Sequence, residues 1–213
     1  MRIGNFLAAL ETIQVGDEGI ALWRVADLED HVDRAALLAA DDPPEPPYWA
    51  HLWSGALVLA EAVPRGRRTV LEIGCGLGLP GLVAARRGAR VTFVDRAPAA
   101  LAFVRASAAA NRIGDVRFVA ADATTPVLRG RFDLVLAAEV LYDRAAFAPL
   151  ASALARWVAP GGRVLLTDAG RVDTCPFYPA LEAAGLCWRA REQIVREEGL
   201  PMTVRLVEAV PAS

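Results

Sequence analysis

The chain has 213 residues, 54% hydrophobic and only 7% aromatic, which is enough for one sizeable aliphatic core and short for two. A net charge of −2 gives no sign of a general nucleic-acid binder, although a local basic face is compatible with it. All 23 basic residues are Arg, so a lysine Schiff base, a P-loop lysine and a Tyr-Lys dehydrogenase pair are excluded.

Three cysteines, Cys75, Cys175 and Cys187, are too few and too scattered for a disulfide framework and form no CxxC. Reduced thiols in a cytoplasmic setting are the expectation. His31 and His51, without an HExxH, give a metal site little support. The chain opens without a basic region and apolar core, and its apolar stretches are broken by Arg, Asp or Glu before about 20 residues. Neither a signal peptide nor a membrane span is expected.

In chain order, residues 5–10 read as a short helix. Residues 11–25 alternate and turn at Gly16-Asp17-Glu18-Gly19, a small β-hairpin. Asp27 is placed to cap a short helix through residue 35. Residues 41–47, DDPPEPP, fit neither a helix nor a central strand and read as a loop. It closes an N-terminal extension, residues 1–47, of the same domain as residues 48–213. An apolar helix follows over 49–63, closed by Pro64-Arg65-Gly66.

The rhythm then becomes regular. Strands are predicted at 69–73, 91–95, 116–121, 132–137 and 162–168, with helices at 80–87, 97–111 and 145–158 between them. Alternation of this kind argues for a parallel sheet with helices on both faces. A helix at 179–185 and two extended segments, 187–195 and 202–210, joined through residues 198–201, end the chain as an antiparallel hairpin. The fold class is α/β, a Rossmann-like, seven-stranded, mostly parallel, doubly wound sheet with a C-terminal antiparallel hairpin.

Residues 70–81, VLEIGCGLGLPG, carry the chemistry: an apolar strand, a loop of close glycines and the start of a helix. Gly76-Leu77-Gly78-Leu79-Pro80-Gly81 satisfies the dinucleotide fingerprint, with Asp95 at the ribose position. Three observations favour S-adenosylmethionine (SAM) over NAD. Glu72 would repel a pyrophosphate but suits the sulfonium and ammonium of SAM. Asp122 ends the third strand facing the same crevice as Asp95, where it can accept from an adenine amino group. The absent lysine removes the commonest small dehydrogenase mechanism. Gly74, Gly76 and Gly78 let the backbone approach the methionine portion closely.

VLEIGCGLG, VTFVD, FVAAD and FDLVLAAEVLY resemble the successive motifs of class I SAM-dependent methyltransferases over roughly residues 48–170. PYWAHLWSGALVLA, residues 47–60, and Glu139-Val140-Leu141-Tyr142 resemble a narrower group, the protein-lysine methyltransferases of methyltransferase family 16. Bacterial relatives of the lysine methyltransferase of the electron-transfer flavoprotein β-subunit are the nearest in pattern. The resemblance implies that Trp53 lies beside SAM and that Glu72, Gly74 and Gly76 hold its methionine end. It places Asp95 at the ribose, Asp122 at the adenine and Ala138 beneath the cofactor. Glu139 and Tyr142 match the family's acidic-x-x-tyrosine motif and are implied at the substrate amine, with Glu where the family commonly shows Asp.

The implied activity is N-methylation of a protein lysine. A small-molecule N- or O-methyltransferase with the same cofactor site is the alternative. A catalytically silent SAM- or nucleotide-binding module is disfavoured by the intact Glu139 and Tyr142, and a dehydrogenase ranks last. Partners are a protein lysine or a small amine, with no general nucleic-acid or membrane binding. Trp53 and Tyr142 also admit plain core roles. His51 reads as a packing residue, and Arg171 as a solvated turn residue or the rim of a substrate cleft.

Overall fold

The computed structural model describes residues 1–31, 46–66, 68–197 and 199–212. Ten strands and five α-helices are described, with a short three-residue 3-10 turn at Tyr48–Ala50 and another at Arg144–Ala146. β1 (Arg2–Ile3), β2 (Phe6–Val15) and β3 (Glu18–Val25) form a small antiparallel sheet. The helices are α1 (Ser54–Ala62), α2 (Leu79–Arg86), α3 (Pro98–Ala110), α4 (Phe147–Trp157) and α5 (Phe177–Ala183). The main strands are β4 (Thr69–Ile73), β5 (Arg90–Asp95), β6 (Val116–Ala120), β7 (Phe132–Ala138), β8 (Val158–Asp168), β9 (Leu186–Glu197) and β10 (Leu200–Pro211).

The seven-stranded sheet runs β6-β5-β4-β7-β8-β10-β9. All pairings from β6 to β8 are parallel, and β10 pairs antiparallel with both β8 and β9. Chain order reverses between β4 and β7, so the carboxyl ends of these strands open a crevice at a topological switch point.

Side-chain alternation along β4 builds two cores. Val70 packs with Phe93, Leu134, Leu82 and Phe103 on the face carrying α1, α2, α3 and the small sheet. Leu71 and Ile73 pack with Val94, Val135, Leu154 and Trp157 on the other. The period of 2 in a strand requires this division, and it sends Glu72 to the same side as Val70.

The N-terminal region departs most from the sequence reading. Residues 5–10 are not a helix: Ala8 pairs with Val25 and Leu10 with Trp23, extending the hairpin outward from its turn at Gly16 and Asp17. A leucine-alanine run has helix propensity, but pairing on both sides outweighs so weak a preference. The hairpin is docked by side chains that act as a surrogate strand. Asn111 accepts from the Ala21 N–H at 3.0 Å and donates to the Ala21 carbonyl at 2.6 Å, while the Trp23 N–H donates to Ser107 Oγ at 2.9 Å. Three outward backbone groups of edge strand β3 are thus met by side chains without a further strand.

The short helix after Asp27 is a 3-10 turn, Leu28–His31, and the rest of that expectation, with residues 41–45 of the proline loop, lies outside the described residues. The helix expected over 49–63 starts only at Ser54. Its first N–H is capped from far along the chain, donating to Glu197 Oε2 at 3.1 Å.

Candidate cofactor and acceptor site

A cavity of about 1020 Å³ opens at the carboxyl ends of β4, β5, β6 and β7. Trp53, Gly74, Gly76, Asp95, Asp122, Ala138, Glu139 and Tyr142 all line it, so eight of the nine residues singled out from the sequence converge there. Phe6 and His31 of the N-terminal region also reach its wall.

Glu72 is the ninth, and it sits behind the glycine loop. It is 1% exposed, and its Oε2 accepts from the Gly81 N–H at 2.9 Å, holding the first turn of α2. Burial pushes its carboxyl well above the usual range, the Gly81 amide opposes this, and nearby Asp95 adds to it. Any hold that Glu72 exerts on a ligand passes through the loop, not through direct contact with the cavity.

The loop itself turns on left-handed glycines. Gly74, Gly76 and Gly78 have φ of 55°, 49° and 71°. A Cβ on Gly74 would stand 2.9 Å from Val140 Cγ1, and one on Gly76 3.0 Å from the Trp49 carbonyl oxygen. Glycine is required twice over, for conformation and for space.

At the tip of β5, Asp95 Oδ2 accepts from the Gly76 N–H and Oδ1 from the Ala97 N–H, both at 2.8 Å. Burial raises this carboxyl, with the amides and Arg96 working against the rise. A carboxylate offers about four lone-pair sites, so two remain for the hydroxyls of a ribose. Beyond β6, the exposed Asp122 accepts from Thr124 N–H at 2.7 Å and its hydroxyl at 2.6 Å, which holds its carboxyl below the ordinary value. The glycine loop and the carboxylates of Asp95 and Asp122, at the tips of adjacent strands, are of a kind that SAM would fit. Cys75, inside the loop, is a buried thiol pushed well up by burial, with Asp95 and Glu72 adding.

The other end of the cavity is ionic and aromatic. Glu139 follows β7 in a left-handed conformation, φ 54°, an arrangement that costs a non-glycine residue about 1–2 kcal/mol. Its N–H donates to the Thr167 carbonyl at 3.0 Å. The carboxylate lies against α1: a Cβ on Gly55 would meet Oε1 at 2.2 Å. Among the described residues the buried Oε1 has no hydrogen-bond partner, and Oε2 accepts from the Ala169 N–H at 3.3 Å. Burial raises the Glu139 carboxyl; Arg171 and the Ala169 amide pull it back, while Asp168 and Glu197 push it up.

Arg171 is an exposed residue in the bend after β8, and it is also ion-paired. Its Nη2 donates to both oxygens of Glu197, at 2.8 and 3.0 Å, and its Nε lies 3.5 Å from Glu139 Oε2. The guanidinium lies 4.3 Å from the Trp53 ring centroid. Trp53 Nε1 donates to the Tyr48 carbonyl at 3.1 Å, and His51 packs 4.2 Å from the Trp53 ring. Tyr142 is 52% exposed at the mouth, with Arg96 Nη2 donating to its hydroxyl at 3.4 Å. Gly55 and Glu197 escaped the sequence reading. A lone glycine inside an apolar helical run was the one signal for Gly55; nothing local marks Glu197.

A methyltransferase-domain family profile matches residues 70–162. The ubiquinone biosynthesis O-methyltransferase of Xanthomonas axonopodis pv. citri (strain 306) is 30% identical over 169 residues, 76% of this chain and 69% of that protein. Protein N-lysine methyltransferase METTL21A of Danio rerio is 34% identical over 118 residues, 49% of this chain and 53% of that one. N-methyltransferase NodS from Bradyrhizobium japonicum WM9, solved with S-adenosyl-L-homocysteine (SAH), shares the fold at TM-score 0.61 and 22% identity, over 88% of this chain and 97% of that one. The chain spans about half the length of most curated relatives it matches. It belongs to the class I SAM-dependent methyltransferases. Among the described residues no helix is long and apolar enough to cross a membrane, and no group of His, Cys, Asp and Glu has the arrangement of a metal site.

Proposed function

We propose that this methyltransferase acts on nitrogen, and that its acceptor is a lysine side chain of a protein, in line with the resemblance to methyltransferase family 16. The observation that supports this reading is that Glu139, Tyr142 and Trp53 line the same cavity as Asp95 and the glycine loop. A carboxylate and aromatic faces are what a side-chain ammonium needs on leaving water.

In this reading Gly74 and Gly76 hold the methionine end, Asp95 the ribose hydroxyls and Asp122 the adenine amino group. Trp53 flanks the cofactor and Ala138 contacts it from beneath. Glu72 contributes indirectly by fixing Gly81. Bound SAM supplies a methyl group on a positively charged sulfur, open to in-line displacement. The task left to the chain is aligning the acceptor lone pair behind that carbon, worth up to about 7–11 kcal/mol in favourable cases.

A lysine amine is protonated near pH 7, its unperturbed pKa being about 10.4. Glu139 attracts and orients the ammonium, but a carboxylate raises an amine's pKa, so it serves binding more than deprotonation. The proton leaves to water at the open mouth, and the neutral amine is held beside Tyr142.

A second reading, a small-molecule N- or O-methyltransferase, is favoured by the similarity to the Xanthomonas ubiquinone biosynthesis O-methyltransferase. Tritiated SAM, incubated with the protein and a bacterial lysate split into protein and metabolite fractions, separates the two. Methyl-lysine in the hydrolysed protein fraction is expected; label confined to metabolites overturns the lysine assignment. The chain contains no lysine, so methyl-lysine cannot come from the enzyme itself.

A further inference from the structure

The charges at the acceptor end do not balance. Two carboxylates, Glu139 and Glu197, share one guanidinium, and they share it unequally. Arg171 Nη2 lies 2.8 and 3.0 Å from the oxygens of Glu197, while Nε stands 3.5 Å from Glu139. Burial lifts the Glu197 carboxyl, but Arg171 and the Ser54 N–H outweigh it, and the group is held below its ordinary value. Arg171 is therefore anchored on Glu197 and only leans on Glu139.

Glu139 is held in an arrangement that leaves something undone. Its side chain is 7% exposed, one oxygen is buried without a partner among the described residues, and the carboxylate is pressed against the Cα of Gly55. The other charged groups around it are accounted for. Asp168 accepts from Thr174 Oγ1 at 2.6 Å and faces Arg205 at 3.8 Å, and α1 presents Gly55, which cannot titrate. The carboxylate thus meets one shared cation, Arg171, through Oε2, while its unpartnered Oε1 faces α1.

We propose that Arg171 is a positioning residue acting through Glu139: anchored by Glu197, it keeps the Glu139 carboxylate turned against Gly55, and an arriving ammonium displaces the Nε contact and swings the carboxylate into the cavity. The inference rests on the amine-acceptor reading above. Arg171 is then an internal competitor of the acceptor. It tunes two things at once, the affinity for a cation and the pH below which Glu139 can no longer bind one.

The test uses n-butylammonium as a lysine side-chain probe, titrated into the full chain with saturating SAH at constant ionic strength. Tryptophan fluorescence is followed, and Trp53→Phe identifies the reporting ring. Wild type is expected to bind saturably and to lose binding as pH falls and Glu139 takes up its proton; Glu139→Gln removes binding. In Arg171→Ala the competitor is gone, so binding above the midpoint tightens about fivefold. The midpoint also moves to higher pH by about one unit, because an opposite charge near Glu139 is lost.

Arg171→Lys keeps the charge and returns the midpoint towards wild type. Glu197→Gln acts in the opposite direction: it frees Arg171 for Glu139, weakening the probe and lowering the midpoint. SAH affinity reports that each variant has folded, and Glu197→Gln serves if Arg171→Ala does not. Wild type that binds SAH but no butylammonium at any pH overturns the amine reading. Wild type that binds it, with affinity and midpoint unchanged in Arg171→Ala and Glu197→Gln, overturns the role of Arg171 alone.

Discussion

The two ends of the one cavity are built by different means. The end at which we propose the cofactor binds is made by neighbours in sequence: Gly74, Gly76 and Gly78 follow β4 directly, and Asp95 tips the next strand, bonded to Gly76 N–H at 2.8 Å. The end at which we propose the acceptor binds is assembled from residues far apart: Gly55, Glu139, Arg171 and Glu197 come from α1, the end of β7, the loop after β8 and the end of β9. The first relies on backbone geometry, the second on side-chain charges brought together by the fold. A site so divided can keep its cofactor while its acceptor specificity changes.

Substitutions that strike each end differently sharpen this contrast, beginning with the largest. A Cβ at Gly81 would stand 2.3 Å from Glu72 Oε2 and 2.4 Å from Phe93 Cε1, both buried. Gly81→Ala is expected to cost about 1–3 kcal/mol of stability, read by thermal melting, and to weaken SAM binding with it. Gly55→Ala meets a side-chain end that can shift, so it should displace Glu139 and lose turnover while keeping most of its stability and SAM affinity. Equal melting losses in the two variants would break the distinction.

Next comes Asp95→Ala, which removes the carboxylate that we propose accepts from the ribose hydroxyls. Affinity for SAM is expected to fall about 10- to 100-fold by calorimetry, the equivalent of about 1.5–3 kcal/mol. Asn111→Ala touches neither end. It should loosen the N-terminal hairpin by about 1–3 kcal/mol, speeding amide exchange at Ala21 while leaving β4 and β5 protected.

The smallest effect is a pH dependence at Glu72. Its folded pKa is raised by burial, so the stability it contributes is complete below the unfolded value and is lost as pH rises through the folded one. Wild type should lose melting temperature relative to Glu72→Gln as pH climbs above the ordinary carboxylate range. Parallel melting curves across that window would contradict the assignment.

The same division explains what was legible in the sequence. The core alternation from residue 69 to 168 could be read because strand period, glycine turns and proline positions are local signals, and β4 was placed at its observed bounds. The glycine loop, Asp95 and Asp122 belong to that local grammar, and all reach the cavity. Residues 5–10 were misread because their strand state depends on pairing with Val25 and Trp23, not on their own composition. The start of α1 was missed for the same reason, since its cap, Glu197, lies 143 residues away. Glu72 was legible as chemistry but not as geometry: strand alternation turns it into the core beside Phe93, where it holds an amide.

Calorimetric titration of SAM into Asp95→Ala and Glu139→Gln, beside wild type and with turnover measured on the same preparations, tests the separation of the two ends most directly. Asp95→Ala is expected to lose SAM affinity, whereas Glu139→Gln keeps it within about threefold and loses turnover by about 100-fold or more. A collapse of SAM affinity in Glu139→Gln to the level of Asp95→Ala would contradict the account.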